Sequence, residues 1–134
     1  MNPGIGSNTS GMRLVLGRVW LPRSLGATWK PLPPRLARVQ DPAVKYGMVV
    51  TAGTPVSIGI PPDLRGVLAL EYGGGGPRVA DGQTEDRFFP CPKSQGAVTV
   101  WAGFYVFKHP LCAHLTVRAE GRSEHVSIPL ASAC

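Results

Sequence analysis

The chain has 134 residues and a net charge of +6, with 43% hydrophobic residues, 17 glycines and 14 prolines. That length supports one domain with a core of its own, and a glycine and proline share near a quarter disfavours long helices in favour of short strands and turns. No run approaches the roughly 20 apolar residues that a membrane-crossing helix requires.

The charge is uneven along the chain. Arg13, Arg18, Arg23, Lys30, Arg35, Arg38 and Lys45 stand against Asp41 alone in the first 45 residues, whereas residues 46–134 hold seven basic and seven acidic side chains. A basic leader attached to a neutral body is the expectation, and such a leader attracts polyanions by a largely non-specific Coulomb term. The candidate polyanion-binding residues are Arg13, Arg18, Arg23, Lys30, Arg35 and Arg38. Residues 12–21 do not read as a secretory leader, because Arg18 splits the apolar run and no small-residue cleavage site follows.

In chain order, residues 1–11 are small and Gly-rich, with the composition of a disordered tail. Residues 13–20 can form a first strand. Residues 21–43 carry five prolines, at Pro22, Pro31, Pro33, Pro34 and Pro42, and read as an extended linker or a loop lying on the body. Two domains of the map follow: a flexible basic arm over 1–43 and a β-sandwich over 44–134.

Residues 45–51 and 54–60 are β-prone runs, with Ala52-Gly53 as a tight hairpin between them. Val56, Ile58 and Ile60 alternate with small residues, which buries one face. Residues 67–72 alternate again through Leu68, Leu70 and Tyr72. The four glycines 73–76 lack the Gly-Lys-Ser/Thr that opens a phosphate-binding loop and read as a flexible connection. Asp81, Glu85 and Asp86 read as a solvated acidic loop.

Residues 97–101 and 104–107 are dense in Val, Phe, Tyr and Trp, which suit a pleated, half-buried surface, with a bulge or turn at Gly103. Residues 113–119 put Leu115 and Val117 inward, and Val126, Ile128 and Leu130 face in on the return strand. With Gly121-Arg122 as the loop, Val117 faces Val126, Leu115 faces Ile128, and His125 faces Arg118. His114 then lies roughly 13 Å from His125, at about 3.3 Å per residue, so the two share no metal ion. The expectation is three ordinary histidines, His109, His114 and His125, on a wet face, with no metal and no cofactor.

The three cysteines leave two bridges to weigh. Cys91 to Cys112 closes a compact two-strand unit and stabilises it by about 3 kcal/mol in the chain-entropy model. Cys112 to Cys134 ties down the C-terminus instead. The first is the preferred reading, and either bridge implies an oxidising compartment.

Phe89-Pro90-Cys91-Pro92, Trp101-Ala102-Gly103-Phe104, Pro110-Leu111-Cys112 with Leu115-Thr116-Val117, and the final Cys134 together resemble a group of uncharacterised actinobacterial exported or membrane-anchored proteins. Val56-Ser57-Ile58, Ile60-Pro61-Pro62 and Arg65-Gly66 are similar to the same group, over roughly residues 44–134. The resemblance implies an extracellular or envelope location and supplies no activity to carry over.

The fold expected is all-β, an immunoglobulin-like sandwich of about seven strands with turn signals at short intervals. No Gly-x-Ser-x-Gly elbow occurs, and no acidic pair marks a cleft. The function expected is a non-catalytic structural or interaction domain whose partner is a protein or envelope component. The alternatives are a polyanion-binding protein acting through its arm, and a small metal or thiol enzyme using Cys112 and His114.

Overall fold

The computed structural model describes residues 11–23, 32–45, 47–51, 53, 55–73, 75–89 and 98–134, with 98–101 described by their backbone. The strands among them are β1 (Met12–Val15), β2 (Val19–Pro22), β3 (Ala43–Lys45), β4 (Met48–Thr51), β5 (Val56–Gly59), β6 (Leu68–Glu71), β7 (Glu85–Phe88), β8 (Val98–Trp101), β9 (Phe104–Phe107), β10 (Leu111–Ala119) and β11 (Arg122–Leu130). One short helix, α1 (Pro34–Ala37), and two 3-10 turns at Pro62–Leu64 and Val79–Asp81 complete the described elements. The fold is an all-β sandwich, with more strands than the seven the turn spacing suggests.

The strands form three antiparallel sheets, in the orders β1-β2-β4-β8, β11-β10-β5-β7 and β3-β9-β6. The inward faces of all three meet in one core. Val15, Val19 and Leu21 come from the first sheet, Ile58, Leu115, Val117 and Ile128 from the second, and Leu68, Leu70, Tyr105 and Phe107 from the third. The third sheet is covered on its other face too, where Ala69 and Val106 pack with Val79 of the 3-10 turn. Both faces of β6 and β9 are therefore apolar, which is why neighbouring residues and not only alternate ones are hydrophobic there.

The longest pairing is β10 with β11. Ala119 stands opposite Arg122, so the two-residue loop is Glu120-Gly121 and not Gly121-Arg122. Both loop residues are left-handed, at φ 53° and 73°. A type I′ turn demands that conformation at both positions and favours glycine at the second, which places Gly121 there. Leu115 then faces Val126, and Val117 faces Glu124. The register differs by two residues from the expected one. Inward residues stay inward because side chains alternate with period two, and the cross-strand partners all change.

The N-terminal residues depart furthest from expectation. Strands β1 and β2 form a hairpin whose turn holds Leu16 and Gly17 at φ 53° and 65°, and β2 pairs with β4. Val15, Val19 and Leu21 are fully buried. Residues 11–23 thus belong to the body, and the expected flexible arm with a boundary at 43 is corrected for them. Apolar side chains at alternate positions outweigh the local density of arginines, because burial scales with apolar area and the guanidinium heads stay in water.

Residues 32–45 lie along the body as well. Asp41 accepts a hydrogen bond from the Val79 backbone N–H at 2.8 Å and pairs with Lys108 at 3.5 Å, and Phe107 N–H donates to Pro42 O. Strand β3 then pairs with β9.

The expected hairpin at Ala52-Gly53 and the expected bulge or turn at Gly103 both fall between strands of different sheets. Strand β4 pairs with β2 and β8, whereas β5 pairs with β10 and β7, so β4 and β5 belong to different sheets and do not pair as a hairpin. Gly103 likewise lies between β8 of the first sheet and β9 of the third. A Cβ at Gly103 would overlap the Tyr72 ring and sit 2.6 Å from Glu71 O, so the position requires glycine for close approach. The expected acidic loop is also revised, because Glu85 and Asp86 open β7 and pair with Gly59 and Ile58.

Candidate functional site

Alternation in the four strands β11-β10-β5-β7 turns one side of that sheet to the core and leaves the other polar and open. Rows of residues run across it. Ser57 is paired with Arg118 on one side and with Arg87 on the other, and Arg118 is in turn paired with Ser123. The next outward row is Glu85, Gly59, Thr116 and His125, and beyond it His114 stands opposite Ser127.

The first of these rows floors a shallow depression of about 410 Å³, lined by Ser57, Glu85, Arg87, Arg118, Arg122 and Ser123 among others. Its charges are held unequally. Glu120, at the rim, pairs with Arg18 at 2.6 Å and with Arg122 at 3.7 Å. Arg122 also donates to Leu16 O at 3.1 Å. The Arg87 guanidinium lies 5.3 Å from the centre of the Phe89 ring, a cation–π arrangement. Arg118 has no hydrogen bond or ion pair from its side chain to the other described residues.

The histidines occupy the same face. His114 Nδ1 shares a hydrogen bond with Ser127 Oγ at 3.2 Å, and His125 Nδ1 shares one with Thr116 Oγ1 at 3.2 Å. His125 faces Thr116 and not Arg118, so His114 and His125 are diagonal neighbours, about 7 to 8 Å apart at their α-carbons. The expected separation of 13 Å is corrected, since the loop begins one residue earlier. His109 is elsewhere, exposed beside Pro110. Among the described residues no three of His, Cys, Asp and Glu come together as a metal site would require.

Cys112 also faces outward, with its Sγ 4.0 Å from His114 Nδ1. It is bonded to Cys134, 22 residues on. A sulfur bonded to Cys134 has no valence left for Cys91, so the preferred Cys91–Cys112 bridge gives way to the other one; Cys91 itself lies outside the described residues. The physical reason is local. Ala131 adopts φ 55°, which reverses the chain after β11 and returns the tail to Cys112. In the bonded state Cys112 carries no thiolate, the form a nucleophile or a metal ligand requires.

The basic residues of the first 45 positions are dispersed. Arg13 pairs with Glu124 at 3.1 Å and Arg18 with Glu120, both on the body. Arg23, Arg35 and Arg38 are exposed, and Lys30 lies outside the described residues. Two of the six residues expected to act as one arm, Arg13 and Arg18, are thus engaged with carboxylates of the body.

A second depression, of about 400 Å³, is lined by Lys45, Glu71, Ala102 and Phe104. Beneath it Tyr72 packs edge-on against Phe88 at 5.1 Å and Tyr105 at 6.5 Å. Burial, with Tyr105 and Asp86 nearby, raises the Tyr72 pKa and keeps the phenol neutral. Burial also raises the carboxyl pKa of Asp86. Burial raises that of Glu71 against a hydrogen bond from the Gly76 backbone, and Asp81 adds to the rise. In all three groups burial favours the neutral form.

Alternation along residues 113–119 places Arg118 and His114 outward, and no signal in the sequence identifies Ser57 and Arg87 as lying beside Arg118. Alternation within β10 tells which way Arg118 points. Nothing in it tells that β5 and β7 lie alongside. Comparison with protein-family models, with curated proteins and with solved structures finds no match.

Proposed function

We propose that this protein is a non-catalytic, exported or envelope-associated interaction domain, working as immunoglobulin-like modules do: a rigid sandwich that binds through one exposed face. The observation that carries the proposal is the open polar face of β11-β10-β5-β7, with its concave row of arginines and serines. A sheet held by a shared apolar core presents such a row in a fixed geometry, so a partner meets preorganised groups and little ordering entropy is lost on binding.

Two further observations support the reading. The Cys112–Cys134 bridge suits an oxidising compartment. The Cys-Pro and Pro-x-Cys motifs resemble those of exported actinobacterial proteins.

Photo-crosslinking tests it. A crosslinking residue at Ser127 or Thr116, on the open face, should give a discrete adduct in producing cells, and one at Arg35, on the exposed helix, should not. Trapping of thiols in the same cells should find Cys112 and Cys134 oxidised and the protein outside the cytoplasm. Adducts equally frequent at both positions, or reduced thiols in a cytoplasmic fraction, overturn the reading.

A further inference from the structure

We infer that the row Arg87, Ser57, Arg118 and Ser123 is a binding site for a tetrahedral oxyanion, a phosphate or sulfate group. The inference deepens the proposed binding face and rests on it.

Ser57 is the common neighbour in register of Arg118 on β10 and Arg87 on β7. Adjacent strands are about 4.8 Å apart, which puts the two arginine α-carbons roughly 10 Å apart with one small side chain between them. Both guanidiniums can lean inward over Ser57 and meet the same anion, each offering a planar fork of N–H donors that matches phosphate geometry. The hydroxyls of Ser57 and Ser123 supply further donors on the floor and at one side. Larger side chains at those two positions would fill the depression.

The charge balance supports the same ligand. Arg87, Arg118 and Arg122 line the depression against Glu85 and Glu120. Glu120 is already held by Arg18 and Arg122, so four guanidiniums face two carboxylates and the remaining charge is positive. Arg118 has no side-chain partner among the described residues, and Arg87 has the Phe89 ring alone. Two arginines that flank one small hydroxyl in register, without carboxylate partners among the described residues, form an arrangement that an anion completes. Glu85 is the competing group: it stands two positions from Arg87 on the same face of β7 and opposes any anion that enters.

Titration of the full-length protein with sodium phosphate tests the site, at ionic strength held constant with sodium chloride, followed by backbone amide shifts. Saturable shifts centred on residues 57, 87, 118 and 123 are expected, with sulfate acting alike and acetate giving none. Arg118→Ala should weaken binding by about tenfold or more, Arg87→Ala similarly, and Arg118→Lys less, because lysine keeps the charge and loses the fork. Glu85→Gln should tighten binding, and Arg35→Ala should leave it unchanged. Circular dichroism establishes that each variant is folded.

Non-saturable shifts, equal effects of acetate, or equal losses in Arg35→Ala and Arg118→Ala overturn the site and indicate general charge attraction. Crosslinks at Ser127 or Thr116 that persist when phosphate fails to bind would leave the binding face standing without the anion site.

Discussion

Cys112 is bonded to Cys134, so the last residue of the chain is fastened to a strand in the interior of its sheet, beside His114. With three cysteines in the chain, this bridge leaves Cys91 without an intramolecular partner. Intact mass after alkylation of the oxidised protein should therefore show one modified thiol per chain, and three after reduction, with peptide mapping joining 112 to 134. Cys134→Ser should lower stability by about 3 kcal/mol, the chain-entropy value for a loop of this length. Cys91→Ser should leave the bridge in place.

The N-terminal hairpin offers a sharper test of the domain map. Leu21 is completely buried among residues of the common core. Leu21→Ala should cost about 2 to 5 kcal/mol in urea unfolding, as a large-to-small core substitution does. A flexible arm would give no change. Arg13→Ala, which breaks an exposed pair with Glu124, should cost under about 1 kcal/mol.

Gly103 is where the third sheet comes close to the chain after β6. Gly103→Ala pushes a methyl group into the Tyr72 ring and the Glu71 carbonyl, and Tyr72 is itself packed on Phe88 and Tyr105. Destabilisation of about 1 to 3 kcal/mol is expected from overpacking at this point, read as a lower urea midpoint. Gly121→Ala meets open space, and its cost comes from the left-handed backbone alone.

Burial raises the Asp86 carboxyl pKa, so between the ordinary carboxylate value, about 4, and the raised one the folded chain holds a proton that the unfolded chain has released. The stability from this group is complete below the ordinary value and is lost as pH rises through the raised one. Asp86→Asn should accordingly gain on the wild type as pH rises through that window and differ least in acid. Paired urea titrations at several pH values check it, and a gap that widens toward low pH would contradict the sign.

Much of the strand content was legible along the chain because alternation is a local property. Val56 and Ile58, Leu68 and Leu70, and the inward rows of β10 and β11 follow from side chains that point to opposite faces at successive residues. A turn at Gly121 followed too, from a glycine between two β-prone runs. Its register did not, because the glycine serves at either loop position until the φ values of Glu120 and Gly121 are known.

What the sequence by itself determined is an all-β chain with a neutral C-terminal two-thirds and inward faces that need a core. The tertiary structure decided which sheet each strand joins, that residues 11–23 complete the body, that Cys134 and not Cys91 reaches Cys112, and that Ser57 lies between Arg87 and Arg118. The difference is physical. Alternation and turn chemistry act over a few residues, whereas partners far apart in the chain, such as Ser57 with Arg87 and Arg118, 30 and 61 positions away, are chosen by burial of the whole apolar surface at once.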